Sequence, residues 1–109
     1  MKLNIYDKKK IVKTYTADTY DLLWGVVEDV AAAVDLDGLK TGSETEIMKL
    51  VLNLVLKSMG TVKELMKDVF DGITDEELKK TKVKEIAQVL VDVVKYTIAQ
   101  MNLFSNSKN

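Results

Sequence analysis

The side chains of this sequence that could do chemistry are carboxylates, lysines, tyrosines and hydroxyls, because the chain holds neither histidine nor cysteine. Their absence removes the commonest general base, the commonest transition-metal ligand and any thiol nucleophile. The most site-like pattern left is Asp35-Leu-Asp37-Gly38, whose alternate carboxylates followed by glycine read like the opening of a calcium-binding loop. Counting onward breaks the match. The fifth loop position is Leu39, which has no ligand oxygen, and the sixth is Lys40, where the turn needs glycine; only Glu46, at the twelfth, fits. With Gly42 close behind, residues 35–42 read as a helix-to-helix loop.

Paired carboxylates also stand at Glu28-Asp29 and Asp75-Glu76-Glu77. Acidic residues in the first turn of a helix complement its macrodipole, which accounts for the second cluster, and the first is expected to face water. Neither has a convergent partner that would tune it for catalysis. The five glycines are scattered, so no phosphate-cradling loop is present. No cofactor, metal or catalytic residue is expected, and the chain reads as non-enzymatic.

All sixteen basic residues are lysine, against seventeen acids, for a net charge of -1. Without arginine, forked recognition of guanine or phosphate has no donor, and near-neutrality supplies no long-range pull on a polyanion, so nucleic acid is not an expected partner. No apolar run approaches the roughly 18 residues of a membrane span, and Asp7 with three lysines interrupts the N-terminus before a signal peptide could develop. The chain is therefore expected in the cytosol, without a membrane partner. A hydrophobic fraction of 47% with 30% charged residues is the balance of a globular protein, and the length suits a single domain.

The elements that would carry these residues follow from periodicity and caps. Residues 2–6 and 11–17 are β-branched and aromatic runs joined by Asp7-Lys-Lys-Lys10, which predicts a β-hairpin with a solvated turn. Asp18 reads as the N-cap of a first helix running to Val34, with Tyr20, Leu23, Trp24, Val27 and Ala31 on its apolar face and Trp24 packed in the core against the hairpin. Ser43-Glu-Thr-Glu46 is a capping box opening a second helix that Gly60 would stop. Thr61-Val-Lys-Glu64 would open a third helix, ending at Gly72, and Thr74-Asp-Glu-Glu77 a fourth, with Ile73 and Leu78 as a hydrophobic staple. Thr81 separates that turn from a long last helix with Val83, Ile86, Ala87, Leu90, Val94, Ile98 and Met101 in its stripe. The fold class is thus α+β, mainly α: a hairpin followed by a bundle of four to five helices, one domain over 1–104 with a mobile polar tail over 105–109.

Two helices carry more apolar surface than one neighbour can cover. Val89, Val93 and Tyr96 widen the face of the last helix, and Leu50, Leu54 and Leu56 that of the second. Either these helices form the buried centre of the domain, or part of their surface is kept for a partner or for self-association. Among the methionines, Met48 and Met66 fall in core stripes, whereas Met59 and Met101 sit near helix ends, where an adaptable contact surface would use them.

Several segments resemble the tail assembly chaperones of long-tailed bacteriophages infecting Gram-positive hosts. The likeness runs through Met1-Lys-Leu-Asn-Ile-Tyr6, Lys13-Thr-Tyr-Thr-Ala-Asp-Thr-Tyr-Asp-Leu22, Phe70-Asp-Gly-Ile-Thr-Asp-Glu-Glu-Leu78, Val83-Lys-Glu-Ile86 and Val91-Asp-Val-Val-Lys-Tyr-Thr-Ile98. The resemblance implies a protein of the host cell cytoplasm, absent from the mature virion, that binds the helical tape measure protein and helps tail tube protein polymerise around it. It also implies a longer form made by ribosomal frameshifting. It brings no catalytic motif. On this reading Val89, Val93 and Tyr96, with Met101 and Phe104 beyond them, are the expected partner-binding residues; the alternative is a small self-associating structural or adaptor protein, a homo-oligomer without an unfolded-like client.

Overall fold

A computed structural model of the chain describes residues 1–33 and 43–106, with side chains as far as Gln100. Its element order is β1 (Lys2–Asp7), β2 (Lys10–Thr16), a 3-10 turn (Thr19–Asp21), α1 (Trp24–Ala33), α2 (Glu44–Lys57), α3 (Met59–Val69), α4 (Asp75–Leu78) and α5 (Val83–Asn106). A mainly helical α+β fold, a hairpin followed by five helices, is what the sequence patterns predict.

β1 and β2 pair antiparallel across a two-residue turn, Lys8-Lys9, in which Lys8 takes a left-handed φ of 59°. The register slips between Ile5, opposite Lys13, and Tyr6, opposite Ile11, so Val12 is the extra residue of a bulge. β1 turns Leu3 and Ile5 into the core, while β2 is an exposed edge. That edge is guarded against further pairing by the bulge and by Lys10 and Lys13. The ladder is extended at its open end by the Ala17 amide donating to the Met1 carbonyl at 2.9 Å.

α5 is the centre of the molecule. β1, the 3-10 turn, α1 and α2 all pack on it, and it buries Ala87, Val89, Leu90, Val91, Val93, Val94 and Thr97. Thr97, polar and fully enclosed, is satisfied by donating its hydroxyl to the Val93 carbonyl at 2.9 Å. Val89 and Val93, expected on a contact surface, are each only 1% exposed. The width of the apolar arc reflects how many neighbours surround the helix, and α5 has enough of them to be covered nearly all round. Tyr96 is half-buried on the same helix.

The capping boxes set out two helix starts as expected. The Ser43 hydroxyl accepts from the Glu46 amide at 3.2 Å, and the Thr74 hydroxyl accepts from the Glu77 amide at 3.1 Å, with the glutamate side chains reaching back in both. Ile73 and Leu78 are both buried, as a staple requires. Thr81 breaks the chain before α5, its hydroxyl donating to the Leu78 carbonyl at 2.7 Å.

Three boundaries differ from expectation. Asp18 caps a single 3-10 turn, its carboxylate accepting from the Tyr20 amide at 3.0 Å, and extended Leu22 then lets α1 begin only at Trp24. The inward stripe of α1 becomes Val26, Val27 and Val30, which turns Trp24 roughly a third of a revolution away and leaves it 59% exposed instead of packed against the hairpin. The second helix stops at Ser58 (φ −137°, ψ 54°), so Gly60 and Thr61 lie inside α3, neither stop nor cap. At the other end α5 continues to Asn106, so Ser105 and Asn106 belong to the helix and not to a tail. Val34 and the loop expected over 35–42, including Asp35 and Asp37, lie outside the described residues, as do residues 107–109.

Candidate functional site

Of the acidic cluster that opens α4, Glu77 and Asp75 are engaged in holding the hairpin and the short helix in place. Tyr15 donates its hydroxyl to Glu77 Oε1 at 2.6 Å, and Lys13 Nζ lies 3.3 Å from Glu77 Oε2. The Tyr15 hydrogen bond, with Thr74 and Lys13 adding to it, holds the Glu77 carboxyl below the usual glutamate range. Asp75 pairs with Lys67 at 2.8 Å, and that contact lowers the Asp75 carboxyl and raises the Lys67 ammonium.

Glu85, at the start of α5, accepts from the Asn4 amide at 3.1 Å and from the Tyr6 hydroxyl. Desolvation, the largest single influence on Glu85, pushes its carboxyl up, but the hydrogen bonds from Tyr6 and Asn4 together outweigh it and leave the group below its ordinary range. The same hydrogen bond from the other side raises the Tyr6 hydroxyl. The Tyr6 amide donates to the Lys80 carbonyl at 2.8 Å, and Lys82 sits 4.6 Å over the Tyr6 ring. The unpaired edge of β1 is thereby closed by the segment that leads into α5. Among the described residues no three acidic side chains converge as a metal ion would need, and Glu28 and Asp29 face outward.

One opening that the fold leaves among the described residues is almost wholly apolar. Where α2 breaks at Ser58 and the chain doubles through α3, α4 and the Thr81 turn, the helices do not close over one another, and a groove of about 250 Å³ remains. α2 contributes Val55, α3 contributes Met59, Val62 and Met66, α4 contributes Leu78, and the first turn of α5 contributes Val83 and Ile86. Lys63, Lys79 and Thr81 complete the lining. Met59 and Val83 are 68% and 62% exposed. The lining has no convergent set of polar groups to fix the orientation of a small molecule, so the groove suits a few apolar side chains of a partner.

Two other apolar exposures lie elsewhere. Tyr20, Leu23 and Trp24 form a patch at the start of α1, and Ile11 and Val12 lie on β2. The clefts between α1 and α3 are lined by Asp29, Glu64 and Asp68 with Ala32 and Ala33. α3 therefore shows lysine and methionine to one flank of its buried stripe and carboxylates to the other.

Of the expected partner-binding residues, Val89 and Val93 are core, Tyr96 is half-buried, and the side chains of Met101 and Phe104 lie outside the described residues. Met59, singled out as an adaptable methionine near a helix end, does line the groove. Val55 and Ile86 were legible as apolar stripe positions, but that they face one another across an opening depends on the break at Ser58, for which the sequence carries no strong signal. No family model, no curated protein and no solved structure matches the chain.

Proposed function

We propose that this protein is a non-enzymatic tail assembly chaperone that binds the tape measure protein of a long-tailed phage in the host cytoplasm and assists tail tube polymerisation, leaving before the virion is complete. The observation that carries the reading is the open apolar groove between α2, α3 and α5, with Met59 and Val83 of its lining exposed. A holdase for a helical, aggregation-prone client needs such a surface: apolar, adaptable through methionine, and poor in fixed hydrogen-bonding groups that would demand one sequence. The resemblance of the framework segments to tail assembly chaperones supplies the identity of the client. The groove replaces the Val89–Val93 face as the contact surface, since those valines are spent on the core.

Co-expression tests this. The chain should raise the soluble yield of a long helical protein encoded beside it, and Met59→Asp with Val83→Asp should abolish the gain without changing the helical circular dichroism. If the unaltered chain gives no gain, the chaperone reading fails.

The second reading, a self-associating adaptor, draws on the exposed patch of Tyr20, Leu23 and Trp24. That patch stands among Asp21, Glu28, Asp29 and Asp68, so a two-fold contact through it would bring like charges together. The groove is the better-suited surface.

A further inference from the structure

We infer that the groove is charge-selective, and that its occupant is an amphipathic helix whose apolar stripe is flanked by carboxylates. The inference rests on the groove being the client surface and adds the chemistry of the segment it takes.

The floor, built from Val55, Met59, Val62 and Ile86, offers no directional hydrogen bond, so position along it is set by shape and by the rim. Both charged residues of the lining are lysines, Lys63 and Lys79, and no carboxylate lines it among the described residues. The cations are available to a partner. Lys79 stands 3.9 Å from Glu76 with both side chains mostly exposed, a loose pair that competes weakly. Asp75, the acid of α4 that feels both Lys63 and Lys79, is held at 2.8 Å by Lys67, one turn further along α3.

A bound helix presents its anchors at three- and four-residue spacing, and the residues beside that stripe project over the rim of whatever groove it enters. Carboxylates there meet Lys63 and Lys79; lysines there meet like charge. With a whole-chain net charge of -1, discrimination has to come from these two local cations and not from the overall field.

The test uses the full chain and two synthetic helical peptides with an identical leucine and isoleucine stripe, one flanked by glutamate and one by lysine, followed by fluorescence anisotropy. At low salt the glutamate-flanked peptide should bind about fivefold more tightly, as two exposed pairs of ordinary strength imply. The difference should vanish in 1 M salt, where the screening length is about 3 Å. Lys63→Glu with Lys79→Glu should invert the preference, and Met59→Asp should abolish binding of both peptides. Equal affinities, a preference for the lysine-flanked peptide, binding that survives Met59→Asp, or no binding would each overturn the inference. The two readings separate cleanly. A chain that raises the client's soluble yield equally well with both lysines reversed keeps the chaperone function and loses charge selectivity. A chain that binds the acidic peptide selectively yet gives no gain in yield does the opposite.

Discussion

Replacing Val93 with glutamate should nearly unfold the protein, whereas the same change at Leu56 should scarcely be felt. Val93 is 1% exposed at the centre of α5 and Leu56 is 79% exposed near the end of α2. In the folded state a carboxyl introduced at position 93 would be taken out of water and would bind a proton. Holding a glutamate neutral at pH 7 costs about 4 kcal/mol relative to an unfolded chain in which it ionises near its ordinary value. Loss of the buried valine removes about 2 kcal/mol more. A penalty of about 6 kcal/mol consumes much of the roughly 5–15 kcal/mol that stabilises a domain of this kind. Leu56→Glu should shift stability by less than about 1 kcal/mol, most of it from a negative charge near a helix C-terminus. The pH dependence gives a sharper check. The introduced carboxyl has its folded-state pKa raised, so the native state binds the extra proton, and lowering the pH from 7 to 5 should return almost 3 kcal/mol to Val93→Glu. Denaturant unfolding followed by circular dichroism at both pH values measures all of this. Equal midpoints for the two variants, or a Val93→Glu protein that weakens on acidification from pH 7 to 5, would refute the placement of α5 as the enclosed helix.

Two further outcomes follow from local geometry. Gly72 has φ 88° and an added Cβ would meet nothing within 4 Å, so Gly72→Ala should destabilise by about 1 kcal/mol through backbone strain alone. Gly60→Ala, equally unobstructed but helical, should stabilise by up to about 1 kcal/mol; thermal denaturation giving the two the same sign would contradict the assignment. Glu77, Glu85 and Asp75 all have carboxyls held below their ordinary range, so their contribution is fully present at neutral pH and is lost as the pH falls through and below roughly 4. Tyr15→Phe with Tyr6→Phe should flatten that acid limb, and an unchanged acid transition by tryptophan fluorescence would show that these hydrogen bonds do not couple to folding.

How much of this was legible beforehand divides along the range of the interactions. The hairpin, the starts of α2 and α4, the staple of Ile73 and Leu78 and the break at Thr81 all rest on contacts between residues a few positions apart. At Ser43 and Thr74 the residue and the glutamate three positions on complete each other's hydrogen bonds locally, whereas Thr61-Val-Lys-Glu64 carries the same pattern but lies inside α3, which had already begun at Met59. The polar joints Tyr6–Glu85 and Tyr15–Glu77 were not legible, because their partners are 79 and 62 residues apart and neither type nor spacing marks them.

The packing was decided only in three dimensions. The sequence shows that α2 and α5 are apolar over a wide arc, but the side that stays open depends on which elements come to lie against each helix. β1, α1 and α2 enclose α5, so Val89 and Val93 became core. Extended Leu22 delayed the start of α1 and swung Trp24 outward. The bend at Ser58 left Met59, Val55 and Val83 around an opening. Hydrophobic burial is non-directional and proportional to area, so a side chain carries no mark of which neighbour will cover it, and only the assembled fold chooses.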